Sequence, residues 1–96
     1  MMDRNRYLDL IAPAARMTIT KGEDYNNKGQ DDLHLYFPFE DKSYAQMIYM
    51  KARRLVSLAK QEGEPNHEKV VDTVMDLINY AVFYADFLDQ RKGIDA

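Results

Sequence analysis

The sequence predicts an all-α fold: a small bundle of three main helices with one long ordered loop, assembled as an oligomer. Three observations predict it. Apolar residues recur at helical spacing in three long segments. Glycines and prolines fall between those segments, at Gly22, Gly63, Pro65 and Gly93. The connection between the last two segments is short, which makes them antiparallel neighbours.

The first helix is expected over about residues 3–21, with Tyr7, Leu10, Ile11, Ala14, Met17 and Thr18 on its inner side. Pro13 should kink it or restart it, and Gly22 should stop it. Residues 22–42 hold glycines, asparagines, Pro38 and several acidic groups, the chemistry of a loop. Yet Leu33, Leu35, Tyr36, Phe37 and Phe39 crowd into it. So much apolar surface must fold over the bundle or enter a subunit contact, and 33–37 alternate as a short extended piece would.

The second helix is expected from about Ser43 to Glu62, capped by Asp41 or Ser43 and ended by Gly63 and Pro65. Its inner positions are Tyr44, Met47, Ile48, Leu55, Leu58 and Ala59. The third helix should run from Asn66 or His67 to Gln90, with Gly93 just past its end. Val70, Val74, Leu77, Ile78, Ala81, Ala85 and Leu88 give it a continuous apolar side. Phe83, Phe87 and Tyr80 make its second half apolar nearly all round, the mark of a helix covered on two sides.

Size and composition narrow the class. The chain has 96 residues, enough for one domain with a modest core, and is 46% hydrophobic. A net charge of -3 gives no direct reason for nucleic-acid binding. Cysteine is absent, which excludes disulfides, thiolate zinc sites and thiol catalysis. Asp3, Arg4, Asp9 and Arg16 interrupt any apolar leader, and no uncharged apolar run reaches the ~18 residues of a membrane span. A soluble protein of the cytoplasm is expected, with no membrane partner.

Chemistry concentrates in Asp72-Thr-Val-Met-Asp76-Leu-Ile-Asn79-Tyr80. Asp72, Asp76 and Asn79 stand at i, i+4 and i+7, on one helix face, and Glu68 extends the stripe. Two carboxylates so placed call for a cation: Mg²⁺, or basic side chains of another helix. Lys51 falls near the middle of the second helix's apolar face, with Arg54 at its edge. An ammonium there needs an anion, either Asp72 or Asp76 in a structural pair or the phosphate of a ligand. Lys21-Gly-Glu-Asp24-Tyr25 could bring a lysine, a carboxylate and a stacking ring to the bundle mouth, or be a polar turn. His34 and His67 lack metal-ligand spacing, and no phosphate loop, dinucleotide fingerprint or nucleophilic triad is present.

Taken in order, Lys21-x-x-Asp24-Tyr25, then Gln46-Met-Ile-Tyr-Met-Lys51-Ala-Arg-Arg54-Leu, then Asp72-Thr-Val-Met-Asp76-Leu-Ile-Asn79-Tyr80-Ala resemble a family of phage and bacterial proteins. It was formerly a domain of unknown function and is now called a nucleotide-modification-associated domain. The resemblance covers about residues 10–88. It implies an all-α fold and a link to phage nucleotide metabolism, in the host cytoplasm where the protein is phage-encoded. A fainter likeness is to all-α nucleoside-triphosphate pyrophosphatases of the MazG and dUTPase type. Those hold Mg²⁺ on acidic pairs of two helices. This chain departs from them: its second helix carries basic residues, and Asp72 and Asp76 are four apart instead of three.

The sequence therefore points to a homo-oligomer that binds a nucleotide or nucleotide derivative. Lys51 and Arg54 would hold phosphate. Lys21, Asp24 and Tyr25, with Asn79 and Tyr80, would complete the ligand site. Asp72 and Asp76 would be the metal and catalytic pair if Mg²⁺-dependent phosphoanhydride hydrolysis occurs. Two alternatives stand beside it: a non-catalytic protein that sequesters a nucleotide signal of bacterial defence, including a cyclic one, and a structural or adaptor oligomer.

Overall fold

In the computed structural model the described backbone comprises residues 2–26, 36–61, 63 and 66–93, with side chains of 18–26 left out. It forms three helices, α1 (Arg4–Asn26), α2 (Asp41–Ala59) and α3 (His67–Lys92), and no strand among the described residues. The all-α bundle follows the sequence pattern. Its boundaries differ from the expected ones in ways that matter below.

The α1 helix opens on Asp3, whose Oδ1 accepts the Arg6 N–H at 2.8 Å, a side-chain cap. The helix is continuous through Pro13 and does not stop at Gly22. One glycine in a helix interior costs only about 1 kcal/mol, and good helix residues on both sides carry the turn past it. The expected loop 22–42 is thus helical at both ends, since Asp41 already belongs to α2. Its middle, 27–35, lies outside the described residues, and with it Leu33, His34, Leu35 and the expected extended piece. Of the expected inner positions of α1, Ala14 is fully buried and Ile11 and Met17 are half-buried, while Tyr7 and Leu10 are exposed.

Segment 36–40 is a turn that docks one ring. Phe37 is buried and stacks on Tyr44 with centroids 4.2 Å apart. It meets the edges of Tyr80 and Phe83 on α3. Phe39 and Tyr36 stay exposed. Glu40 precedes α2 with φ 53°, a conformation L-residues rarely adopt. Neither Asp41 nor Ser43 is the N-cap expected from sequence. The Ser43 Oγ instead reaches back to accept the Phe39 N–H at 2.9 Å.

The α2 helix ends at Ala59, before the expected Glu62, and Gly63 turns the chain with φ 85°. Pro65 precedes the cap of the next helix in the sequence. That cap is Asn66, which accepts the Lys69 N–H at 3.1 Å. The α3 helix then runs two residues beyond Gln90 and closes at Gly93, φ 85°.

The α3 helix packs most closely on α2 and also on α1. Cross-contacts fix the antiparallel register: Asp41 meets Tyr84 and Arg91, Tyr44 meets Tyr84 and Phe87, and Lys51 meets Asp76. Among the described residues the buried core is small: Ala14, Phe37, Tyr44 and Leu58, with Thr73 and Asn79 as buried polar groups. The Thr73 hydroxyl is satisfied by donating to the Lys69 carbonyl at 2.8 Å. Ala59, read as an inner position, is exposed.

Candidate functional site

Lys51 sits at the middle of α2 on the face turned to α3. Its Nζ lies 3.1 Å from Asp76 Oδ2, and the two side chains keep 27% and 22% of their surface exposed. An ammonium on an apolar face must find an anion, and the antiparallel register supplies Asp76. Asp76, and not Asp72, makes this pair. One Nζ–H is used by the carboxylate, which leaves donors of the same group for a second acceptor.

The neighbouring turns carry the rest of the polar seam. Arg54 follows Lys51 by one turn and Asp72 precedes Asp76 by one turn; both are exposed. At 100° per residue, Arg54, Asp72 and Asn79 all fall to the same side of the Lys51–Asp76 line. The antiparallel register sets Arg54 across from Asp72. Asn79 continues the row at its other end. It is 6% exposed, and its Nδ2 has no hydrogen-bond partner among the described residues. A buried amide left unpaired costs about 1–3 kcal/mol, so this nitrogen is a donor in search of an acceptor. Tyr80, half-buried, presents its ring edge-on to Phe83 at 6.0 Å and lies within the ring cluster that Phe37 caps.

Not every expected site residue can be placed. The backbone at Lys21, Asp24 and Tyr25 is helical, in the last turns of α1 and not in a turn beyond it, and their side chains lie outside the described residues. Glu68 is exposed, two turns from Asp76. Among the described residues no group of three acidic or histidine side chains is arranged to hold a metal ion. Asp76 is already neutralised by Lys51, so a cation would have to displace the lysine to use both aspartates.

A second polar constellation was not anticipated. The Tyr84 hydroxyl donates to Asp41 Oδ1 at 2.8 Å, and Arg91 Nη1 donates to Asp41 Oδ2 at 3.0 Å. The Arg91 guanidinium also lies over the Phe87 ring, 5.1 Å from its centroid. The hydrogen bonds from Tyr84 and Arg91 hold the Asp41 carboxyl below its usual range; the bond to Asp41 pushes the Tyr84 phenol up. This clasp ties the start of α2 to the end of α3. One sequence signal could have found it: Asp41 stands three and seven residues before Tyr44 and Ile48, on the same side of α2.

Residues 21–85 match the family model described as nucleotide modification associated domain 1. The chain belongs to this family. The matched segment holds Lys51, Arg54, Asp72, Asp76, Asn79 and Tyr80, so the whole seam lies inside the nucleotide modification associated domain, whereas Arg91 lies beyond it. No curated protein and no solved structure matches the chain. The family match carries the first of the two resemblances, and the likeness to all-α pyrophosphatases rests on its motif alone. No helix among the described residues is long and apolar enough to cross a membrane.

Proposed function

We propose that the protein binds a nucleotide or nucleotide-derived phosphate ligand at the seam between α2 and α3. The observation that carries this reading is Lys51, a part-exposed ammonium held in place by Asp76 within a domain associated with nucleotide modification. Lys51 would donate to a phosphate oxygen without moving far, because Asp76 fixes its direction. Arg54, one turn on, offers a planar fork suited to a second pair of oxygens. Asn79 Nδ2 would serve as an uncharged donor, and Tyr80 as an aromatic wall.

Charge balance narrows the ligand. Lys51 and Arg54 are offset by Asp72 and Asp76, so the described seam is close to neutral. A site of that kind does not compensate the charge of a triphosphate and suits a ligand with one negative charge per phosphate, such as a phosphodiester. This favours capture of a nucleotide signal, a cyclic one included, over hydrolysis. Asp76 is engaged by Lys51, so Asp72 and Asp76 together would hold Mg²⁺ only with the lysine displaced.

The test is calorimetric titration with a panel of mono-, di- and triphosphate and cyclic nucleotides, in Mg²⁺ and in chelator. The expected result is binding that survives chelator, with no phosphate or pyrophosphate release. Turnover that requires Mg²⁺ and is lost in Asp76→Asn would replace this reading with hydrolysis. Absence of binding across the panel would leave the structural or adaptor role.

A further inference from the structure

Between Lys42 and Gln61 the chain carries five of its thirteen basic residues and none of its sixteen acidic ones. The net charge of -3 conceals this segregation. Lys51 and Arg54 belong to the seam described above. The other three, Lys42, Arg53 and Lys60, fall elsewhere on α2. At 100° per residue, Lys42 and Lys60 lie about 180° from Lys51 and Arg53 about 160° from it. All three are exposed, and none has an ion-pair partner among the described residues. They mark a ridge about 27 Å long on the side of α2 turned away from α3.

The ridge carries more than charge. The Tyr49 ring lies on it, 59% exposed, with the Arg53 guanidinium over it at 5.8 Å from the centroid. Towards the end of α2 it opens into a shallow groove of about 390 Å³, lined by Arg53, Val56, Ser57, Lys60 and Gln61. The polar groups of that groove are two cations, a hydroxyl and an amide, with no carboxylate among them. A row of cations this long exceeds one nucleotide and calls for a repeating anion. The exposed ring beside it calls for flat faces between those anions. Acidic peptides offer charge without a flat face at each repeat, and duplex bases are already stacked on one another. A single nucleic-acid strand supplies both features.

We propose that the outer ridge of α2 binds single-stranded nucleic acid. Lys42, Arg53 and Lys60 neutralise backbone phosphates, Ser57 and Gln61 donate to the same backbone, and a base stacks on Tyr49. This surface is separate from the ligand seam, which Lys51 marks on the opposite face of α2.

Fluorescence anisotropy of a labelled oligo(dT) strand of about twenty nucleotides, titrated with the full chain over a range of salt, tests this. The strand should bind at low salt. Log Kd should rise with log salt at a slope of about 2, from three phosphate contacts. Replacing Lys42, Arg53 and Lys60 together by Gln keeps helix propensity at exposed positions. That variant should bind at least about tenfold more weakly at low salt, with its slope falling towards zero. Tyr49→Ala should weaken binding about fivefold or more and leave the slope unchanged. Arg6→Gln removes an exposed cation of α1 and should bind like the wild type. If the triple variant fails to fold, Arg53→Gln and Lys60→Gln decide singly, each lowering the slope by about 0.7. No binding of the strand at low salt overturns the proposal. So do ridge variants that bind like the wild type, or an equal loss in Arg6→Gln. Tighter binding of a duplex of the same length also overturns it, as does equal binding of poly-glutamate or phosphatidylserine vesicles.

Discussion

A lysine in the middle of an apolar helix face is a demand for an anion, and Lys51 shows how much one residue can announce. Its position predicted an anionic partner, Asp72 or Asp76 of α3 or the phosphate of a ligand, and the structure supplies Asp76 at 3.1 Å. What the sequence left open was which of the two aspartates it would be, because that depends on the axial register of α2 against α3. Replacing Lys51 by Met keeps the stem's volume and removes the charge. The pair is part-exposed, so stability should change by about 1 kcal/mol or less, while nucleotide affinity should fall at least about tenfold. Titration beside urea unfolding separates the two, and unchanged affinity would remove Lys51 from the site. Asn79 makes the complementary case. It was read as a polar member of a carboxylate stripe, yet it is buried with an unpaired nitrogen, a state that spacing alone cannot reveal. Asn79→Leu should raise stability by about 1–3 kcal/mol by removing an unpaired amide at similar volume, and should weaken ligand binding. A loss of stability in that variant would show that the amide is satisfied in solution.

At the scale of elements, the legible part was what depends on local spacing: three helices, their apolar sides, the Asn66 start and the Gly93 end of α3. The illegible part depends on contacts far apart in sequence. Asp41 looked like a cap for α2, but its carboxylate is drawn across to Tyr84 and Arg91 on α3. That clasp has a pH signature. The folded Asp41 pKa is lowered, so its contribution is present above the unfolded value of about 3.9 and is lost as pH falls through the lower folded value. The folded Tyr84 pKa is raised, so its contribution is present below the unfolded value of about 10 and is lost as pH rises through the higher folded value. Urea midpoints across pH should therefore fall at both extremes. Tyr84→Phe should remove this group's share of the alkaline fall, and Asp41→Asn its share of the acid fall. Profiles unchanged in both variants would mean that the clasp does not form. The turn 36–40 is tested separately. Phe37 is buried against Tyr44, so Phe37→Ala should cost about 3–5 kcal/mol, and a cost below about 1 kcal/mol would show that the ring is not docked.

For the molecule as a whole, ligand binding and stability are linked through the seam of α2 and α3. Ligand at about 100 times its dissociation constant should stabilise the fold by about 2.7 kcal/mol. That should raise the melting temperature by several degrees. Lys51→Met should still fold and should lose this shift. The measurement is a set of melting curves over ligand concentration, for wild type and variant, at two protein concentrations. A ligand shift that survives in Lys51→Met would place the site away from the seam. A shift that appears only at the higher protein concentration would mean that the ligand is held between two chains, and that the seam of a single chain is only half of its site.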